Sequence, residues 1–466
     1  MHHALRDRSK TGLLLPHMTN WGLTSGRPGR SWSNKMSTHR ADGSRWARLV
    51  PIAFITYSLA YVDRANYSIG SAAGLTKDLG ITGQAGALLG ALFFLGYFIF
   101  QIPAAWYAEE RSAKRLIFWS LLLWGVLATL TGVIRNIGLL YVDRFLLGVA
   151  ESVVLPGMLV FLSHWFISAE RSRTNAFLII GNPVTVLWMS IVSAYLADSL
   201  GWRGMFIVEG FPAIVWAFLW LRLVQDEPTQ APWLNPTERD SLNRKLAEEQ
   251  RVLKPVANYR EAFKSVVVVA LSGQYLCWSI GVYGFVIWLP SMLKAASRLG
   301  IVQLGWLSAL PYLAATVLML VVSHFSDRSA RRKPFIWPFL VVGGLAFAGS
   351  YAVGTSSFWL SFILLLIAGA AMYAPYGPFF AWFPETLPRN VAGGAIALIN
   401  SCGALGGFVG SYMVGWLNAV TGSPALSYLV MAAALLLSGL ITLCVGGPTR
   451  ERLMADNVMP ERLSGD

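Results

Sequence analysis

Twelve long apolar stretches limit what this 466-residue chain can fold into more than any other feature of its sequence. Each has about the 20 residues that a helix needs to cross a bilayer. Because a bilayer offers no water to bond with exposed peptide groups, such stretches become helices. The sequence therefore predicts an all-α integral membrane protein with twelve transmembrane helices in two pseudo-symmetric six-helix bundles. The stretches fall at about 48–71, 84–107, 115–135, 138–165, 174–197 and 203–224, and then at 265–292, 300–325, 335–354, 357–384, 391–420 and 425–446.

The composition supports a membrane protein and excludes an ordinary soluble enzyme. Of the residues, 55% are hydrophobic and 13% are charged, whereas soluble domains average roughly 45–50% apolar and 25% charged residues. The three cysteines, Cys277, Cys402 and Cys444, all lie in apolar stretches. Neither a disulfide framework nor a CxxC metal or redox site is expected. The sequence has no P-loop motif, which argues against an ATP-driven pump.

A polar break between the sixth and seventh stretches divides the chain into two halves. It contains three prolines and a polar helix-like run, which is typical of a linker in solvent. The N-terminal residues are rich in Ser, Arg, Gly and His, lack a signal-peptide core and offer alternative starts at Met1, Met18 and Met36. The predicted organisation is a disordered cytoplasmic extension at 1–45, a first bundle at 46–224, a cytoplasmic linker at 225–264, a second bundle at 265–447 and a cytoplasmic tail at 448–466.

The basic charge of the chain follows the topology of a membrane protein. A net charge of +13 would indicate a nucleic-acid partner in a soluble protein. With the N-terminus inside, however, 30 of the 37 Lys and Arg residues fall on the linker side, 5 on the opposite side and 2 within spans. This agrees with the positive-inside rule. It predicts a multi-pass protein of the bacterial inner membrane with both termini cytoplasmic, the lipid bilayer as its surroundings and no nucleic-acid partner.

The two halves repeat two landmarks at one spacing. The polar loop that starts at Glu109 recurs 218 residues later at Asp327, and the same offset carries Asn182 onto Asn400. A duplicated six-span unit places a substrate path at the interface of the halves. The loops are interpreted as cytoplasmic gates, or alternatively as solvated determinants of topology. Their candidate residues are Glu109, Lys114, Arg115, Asp327, Arg328, Arg331 and Arg332.

Acidic and basic residues inside the predicted spans are confined to the first half. Each costs on the order of 2.5 to 3.5 kcal/mol at the bilayer centre, so it requires a partner or a function. Asp63 and Glu151 are candidates for proton uptake and release. Arg64 or Arg144 can offer a planar fork to a carboxylate. The alternative is that these four residues form structural ion pairs, and Glu209 in the sixth span is interpreted as structural.

Polar and aromatic residues, rather than charges, mark the second half. Its spans contain no Asp, Glu, Lys or Arg between their ends. Neutral side chains there would bind ligand hydroxyl groups, which need partners once water is removed. With the charged first half they suit a polyol that carries a carboxylate, and packing is the alternative for each residue. The candidates are Gln274, Trp278, Tyr283, Tyr373, Tyr376 and Asn400.

Four short motifs stand out against the apolar background. They are Tyr-Val-Asp-Arg-Ala-Asn at 61–66, Gln-Ile-Pro at 101–103, Arg144 with Gly148 and Glu151, and Trp-Arg at 202–203. On these motifs the chain resembles the major facilitator superfamily over about residues 45–447, and within it the anion:cation symporter family. Three further stretches resemble bacterial 2-ketogluconate and sugar-acid transporters most closely: 89–103, 373–380 and 400–407.

The resemblance implies a proton-coupled symporter that imports a sugar-acid anion, with 2-ketogluconate as the best match, by alternating access. It implies a single chain that is not an enzyme and needs no cofactor beyond the coupling proton. In similar galactonate permeases, the acids matching Asp63 and Glu151 bind protons. The arginine matching Arg64 meets the substrate carboxylate, and the one matching Arg144 tunes the acids. Residues matching a further set line the substrate site: Tyr61, Tyr97, Asn182, Gln274, Tyr283 and Asn400.

Two departures from the family pattern affect these expectations. The loop after the second span reads Glu-Glu-Arg-Ser at 109–112 instead of acid-Arg-x-Gly, and residue 182 is Asn where galactonate permeases carry Gln. The open alternatives are transport of galactonate, a hexuronate, tartrate or an aromatic carboxylate, and exchange instead of symport. A membrane sensor would have lost the intramembrane acids. An intramembrane enzyme would need a constellation such as GxSxG, which this sequence lacks.

Overall fold

The computed structural model describes residues 32–252, 265–329, 331–354, 356–386 and 392–445, with side-chain contacts from Arg45 onward. Every regular element in these ranges is a helix, which confirms the predicted all-α class. The chain separates into a unit of residues 1–44 and a unit of residues 45–466. A helix begins at Trp32, inside the predicted extension, and the remainder of that extension and the predicted tail from 448 lie outside the described residues.

Several helices of the first half begin at a polar cap. Ser112 and Asn136 accept hydrogen bonds from the backbone N–H groups of Arg115 (3.0 Å) and Leu139 (3.1 Å). Such caps satisfy donors that a first helical turn leaves free. The helices are α1 (Trp32–Ala73), α2 (Leu75–Asp78), α3 (Gly83–Glu110), α4 (Ala113–Val133), α5 (Ile137–Glu151), α6 (Val154–Trp165) and α7 (Ser168–Leu223).

The described part of the linker packs against the first half. Trp233 stacks on Trp165 with ring centroids 5.4 Å apart, and the Arg171 guanidinium lies 3.2 Å from the Glu249 carboxylate. The linker contains helix α8 (Pro236–Val252). The helices of the second half are α9 (Val266–Ala296), α10 (Ile301–Ser329), α11 (Trp337–Val353), α12 (Phe358–Tyr373), α13 (Tyr376–Thr386), α14 (Ala392–Thr421) and α15 (Ala425–Cys444).

The helices supply the twelve predicted spans. In the described ranges, ten helical segments are long and apolar enough to cross a membrane. One of them, Arg173–Leu223, contains two spans, because the chain reverses at Gly201, whose φ of 71° favours glycine. Helix α1 adds the first span, although its charged residues reduce its mean hydropathy. We call the side that carries the linker the linker face, and the other side the opposite face.

The fourth and tenth spans are each broken by a two-residue turn. Ser152 and Val153 separate α5 from α6, and Ala374 and Pro375 separate α12 from α13. Proline favours such breaks, because it lacks the N–H that continues a helical ladder, and Pro156 follows the first break closely. Equivalent breaks in the two halves agree with a duplicated unit, and broken helices in transporters commonly border a binding site.

The two halves contact each other through the second and eleventh spans and through the fifth and eighth. A Cβ atom at Gly407 would lie 2.7 Å from the Phe94 ring, and one at Gly305 would lie 2.6 Å from the Ser190 carbonyl oxygen. Such spacing permits only glycine without rearrangement. Near the opposite face, the Lys294 ammonium donates to the Ala72 carbonyl at 2.5 Å.

Candidate functional site

Arg64 lies near the middle of the first span, and its guanidinium is surrounded by aromatic rings. Its Cζ atom lies 4.2 Å from the centroid of the Tyr61 ring and 5.3 Å from those of Phe93 and Tyr97. Only 5% of the residue is exposed. Because ring faces attract a cation without consuming its hydrogen-bond donors, Arg64 keeps donors for an anion.

Glu151 is the ionic partner of Arg64, but the pair is loose. The closest approach, from Arg64 Nη2 to Glu151 Oε2, is 3.6 Å, which exceeds a hydrogen bond. Glu151 ends α5 at the break in the fourth span and is fully buried. Neither carboxylate oxygen has a hydrogen-bond partner among the described residues. Both oxygens of this buried carboxylate are therefore available to bind a proton.

A second acid and a second arginine lie beside this pair. Asp63 is 2% exposed and accepts a hydrogen bond of 2.9 Å from the Asn66 side-chain amide. The Arg144 guanidinium lies 4.7 Å over the Tyr67 ring, and its charge acts on both Asp63 and Glu151. Its Nε and Nη1 atoms have no hydrogen-bond partner in the part of the chain that the structure describes.

The Phe93 ring contacts both arginines and was not predicted from the sequence. Its ring centroid lies 5.3 Å from Cζ of Arg64 and 5.9 Å from Cζ of Arg144. Two guanidinium groups repel each other, and a shared negative ring face offsets part of that repulsion. A phenylalanine in an apolar span carries no sequence signal for this role.

The second half closes the site with tyrosines. Tyr283 is an electrostatic neighbour of Arg64, and its ring packs 4.5 Å from Phe94 of the first half. Tyr373 and Tyr376 flank the break in the tenth span with stacked rings 5.4 Å apart. The Tyr376 hydroxyl is buried and has no hydrogen-bond partner among described residues. The interface thus combines a charged first half with hydroxyl groups from the second.

The three predicted amide residues occupy different places. Asn182 accepts a hydrogen bond of 3.5 Å from the Tyr373 hydroxyl across the interface of the halves. Gln274 is fully buried, and neither polar atom of its side chain has a partner in the described ranges. Asn400 is half-buried beside Ser401, whose hydroxyl approaches Gln101 of the second span at 3.5 Å. The substrate roles of all three stay predictions.

The predicted gate loops make their hydrogen bonds mainly within their own halves. Asp226, which was not predicted, accepts hydrogen bonds from the Ser112 hydroxyl (2.5 Å) and the Lys114 backbone N–H (2.8 Å). In the second half, Arg332 pairs with Asp327 at 2.5 Å. The side chain of Glu109 lies outside the described residues. The other predicted gate residues, Arg115, Arg328 and Arg331, are exposed.

The match to a family model identifies the protein family of this chain. The model of the Major Facilitator Superfamily matches residues 53–411 and 298–457. The chain belongs to the Major Facilitator Superfamily. As a superfamily member it is a membrane transporter of small molecules. Within the described residues, no group of three or more His, Cys, Asp or Glu side chains could hold a metal ion.

Curated relatives of this superfamily member include transporters of organic acids. A putative tartrate transporter of Agrobacterium vitis is 31% identical over 404 residues, covering 85% of this chain and 89% of that protein. A quinolone resistance transporter of Acinetobacter baumannii is 30% identical, covering 85% and 93%. The inward-open xylose transporter XylE from Escherichia coli has a similar fold, with a TM-score of 0.71 at 13% identity over 87% of this chain and 98% of that one.

Proposed function

We propose that this protein is a proton-coupled symporter that imports a sugar-acid anion by alternating access, with 2-ketogluconate as the first candidate. The observation that carries the proposal is the loose Arg64–Glu151 pair, buried among aromatic rings at the interface of the halves. Arg64 would bind the substrate carboxylate, and Glu151 would bind a coupling proton. Asp63, beside Arg144, would bind a second proton.

Competition for Arg64 would couple the proton to the substrate. A proton on Glu151 cancels the charge that holds Arg64, so the guanidinium becomes free to form two hydrogen bonds with a substrate carboxylate. When Glu151 loses its proton on the other side of the membrane, its carboxylate competes for Arg64 and favours release of the substrate. The 3.6 Å separation supports this exchange, because a loose pair is easily replaced.

The surroundings of Arg64 support a hydroxylated carboxylate as the substrate. The hydroxyl groups of Tyr61, Tyr97, Tyr283 and Tyr376 and the amide of Asn182 could bind sugar hydroxyls, and the putative tartrate transporter is named for a hydroxylated acid. The second candidate is an aromatic carboxylate. It is favoured by the stacked rings of Tyr373 and Tyr376, which offer flat apolar surface.

The proposed orientation places the linker face in the cytoplasm and the opposite face outside the bacterial inner membrane. One monoanion carried with two protons moves one net positive charge inward. Each such charge gains about 2.3 kcal/mol per 100 mV of membrane potential. A cycle with one proton would be electroneutral.

Transport by purified protein in liposomes tests the proposal. With an inward proton gradient, labelled 2-ketogluconate should accumulate, and tartrate, galactonate, glucuronate and benzoate would rank the alternatives. Glu151→Gln and Asp63→Asn should each abolish accumulation, because the amide cannot take up the coupling proton. Glu170→Gln is the matched control, since Glu170 pairs with Arg45 at 3.0 Å outside the cluster; this variant should accumulate substrate.

Two results would contradict the proposed function. If no substrate of this set accumulates, the substrate class is wrong. If both cluster variants accumulate substrate as the unchanged protein does, Asp63 and Glu151 are not the coupling residues.

A further inference from the structure

Glu209 is a buried acid that the proposed function does not use. It lies in the sixth span and is 6% exposed. Its Oε1 atom accepts a hydrogen bond of 2.7 Å from the Ser193 hydroxyl. Its Oε2 atom is buried and has no hydrogen-bond partner in the described part of the chain. This leaves one oxygen of the Glu209 carboxyl group available to bind a proton.

The register of the first and sixth spans brings Glu209 to Asn66. The two spans run antiparallel and touch at two levels. A Cβ atom at Gly70 would lie 3.0 Å from the Phe206 ring. Nearer the linker face, the Trp216 indole donates a hydrogen bond to the Thr56 hydroxyl at 2.8 Å.

Asn66 lies one turn from Gly70, and Glu209 lies one turn from Phe206 in the matching direction. The two side chains therefore meet between the two observed contacts. At this level Asn66 and the charge of Asp63 both lie within electrostatic range of the Glu209 carboxyl group.

The Asn66 amide has one bonded end and one free end. Its Nδ2 donates to Asp63 Oδ1 at 2.9 Å, while its Oδ1 is buried and has no hydrogen-bond partner among described residues. Both Asn66 Oδ1 and Glu209 Oε2 are thus free acceptors. A proton on Glu209 turns Oε2 into a donor, which could bond to Oδ1. The amide would then bridge an ionised Asp63 and a protonated Glu209.

Among the described residues, Asp63 is the ionisable side chain whose charge acts on Glu209. Helix α4, which packs on the sixth span, brings Thr129 beside Gly210. The ionisable residues of α4, Lys114 and Arg115, are at its linker-face end. Toward the opposite face, Arg203 pairs with Asp78 at 3.3 Å.

We propose that Glu209 is a third proton-binding site, which receives protons from the opposite face and passes them to Asp63 across the Asn66 amide. Glu209 follows Trp202 by seven residues, which places it about 10 Å inside the sixth span, whereas Asp63 is about 15 Å from the end of α1. Glu209 is therefore the acid nearer to the opposite face. The inference rests on the proposed proton coupling.

The transfer conserves protons and charge. The O–H bond of Glu209 breaks, a water molecule carries the proton, and an O–H bond forms on Asp63. The Asn66 amide then turns, so that its NH₂ group donates to the ionised Glu209 and its oxygen accepts from Asp63. Asp63 then releases its proton toward the linker face, and a new proton from the opposite face binds to Glu209, which restores the first state.

Proton-driven uptake into liposomes tests the proposal. Glu209→Gln should reduce the maximal uptake rate by about tenfold or more, as loss of a proton-transfer group does, while the KM for substrate changes by less than about threefold. Asn66→Leu should reproduce this result because it removes the bridge. Counterflow of substrate, which needs no net proton movement, should fall less than driven uptake.

One variant serves as a matched control. Asp143→Asn removes another buried acid, which accepts a 2.7 Å hydrogen bond from Thr131 and, among the described residues, makes no hydrogen bond with Asn66 or Glu209. This variant should retain uptake within about threefold of the unchanged protein. If Asp143→Asn slows uptake as much as Glu209→Gln does, the effect is general to buried acids and the proposal is overturned.

Infrared difference spectra recorded during a pH titration give a readout that needs no substrate. Glu209→Gln should remove one titrating carboxyl band. If the band persists, or if Glu209→Gln transports at the unchanged rate, Glu209 is not a proton site. If the unchanged protein accumulates nothing but the variant loses the band, Glu209 binds a proton and only the proposed symport fails.

Discussion

At the scale of single residues, Arg64 combines a central position with loose ionic pairing. Its guanidinium lies over the Tyr61 ring at 4.2 Å and has its ion pair with Glu151 at 3.6 Å. A planar guanidinium suits both contacts, because it stacks on a ring and offers parallel donors in its plane. A lysine ammonium in its place would keep the charge and lose both properties.

Arg64→Lys should therefore weaken substrate binding by about 10- to 100-fold, the range expected for a charge-assisted hydrogen bond. Calorimetric titration of the purified protein with 2-ketogluconate measures the change. Arg203→Lys is the control, because Arg203 stacks on Trp202 at the same 4.2 Å but pairs with Asp78 at the opposite face. Equal losses in the two variants would remove Arg64 from the substrate site.

The sequence indicated the charged cluster but not its connections. Asp63, Arg64, Arg144 and Glu151 could be found because charges within spans are costly and therefore rare. Phe93 could not be found, since aromatic residues in spans are common. The link from Glu209 to Asn66 depends on the register of two spans far apart in sequence, which periodicity within one helix does not fix.

At the scale of helices, the eleventh span packs on two different partners through adjacent glycines. A Cβ atom at Gly406 would clash with the Leu276 carbonyl oxygen of α9, within the second half. One at Gly407 would meet the Phe94 ring of the first half at 2.7 Å. The first contact belongs to the fold of one bundle, and the second belongs to the interface that the proposed alternating access would open.

Gly406→Ala and Gly407→Ala should therefore have different effects. Gly406→Ala should reduce the free energy of unfolding by roughly 1–3 kcal/mol, as overpacking against a backbone does. Gly407→Ala should preserve the melting temperature, because a ring can rotate, and should slow transport. Thermal unfolding and uptake measured on both variants check this, and the expectation is wrong if Gly407→Ala melts as early as Gly406→Ala.

The positions of the helix breaks cannot be predicted from the prolines alone. The fourth and tenth spans break at residues 152–153 and 374–375. Yet Pro103, Pro183, Pro290 and Pro311 lie inside helices that continue through them. A proline removes one hydrogen bond and one donor, and the packing around it decides whether the helix bends or breaks. The apolar stretches alone thus predicted the spans but not their interruptions.

At the scale of the whole molecule, the distribution of basic residues predicts which face is cytoplasmic. In a protein whose three cysteines are replaced by alanine, Arg298→Cys should react with a membrane-impermeant maleimide in intact bacteria. Ser241→Cys in α8 should react only after the membrane is permeabilised. Both positions are exposed, so accessibility in the folded protein does not distinguish them. The reverse labelling pattern would invert the proposed orientation and therefore the direction of transport.

The cluster of Asp63, Arg64, Arg144 and Glu151 also distributes charge unequally between the two halves of the molecule. All four charges belong to the first half, while the spans of the second half carry no Asp, Glu, Lys or Arg between their ends. A transmembrane voltage exerts force only on charge. In the proposed cycle, protons on Asp63 and Glu151 would leave the two arginines as a net positive charge in the first half, so the field would act mainly on that bundle and little on the nearly neutral spans of the second half.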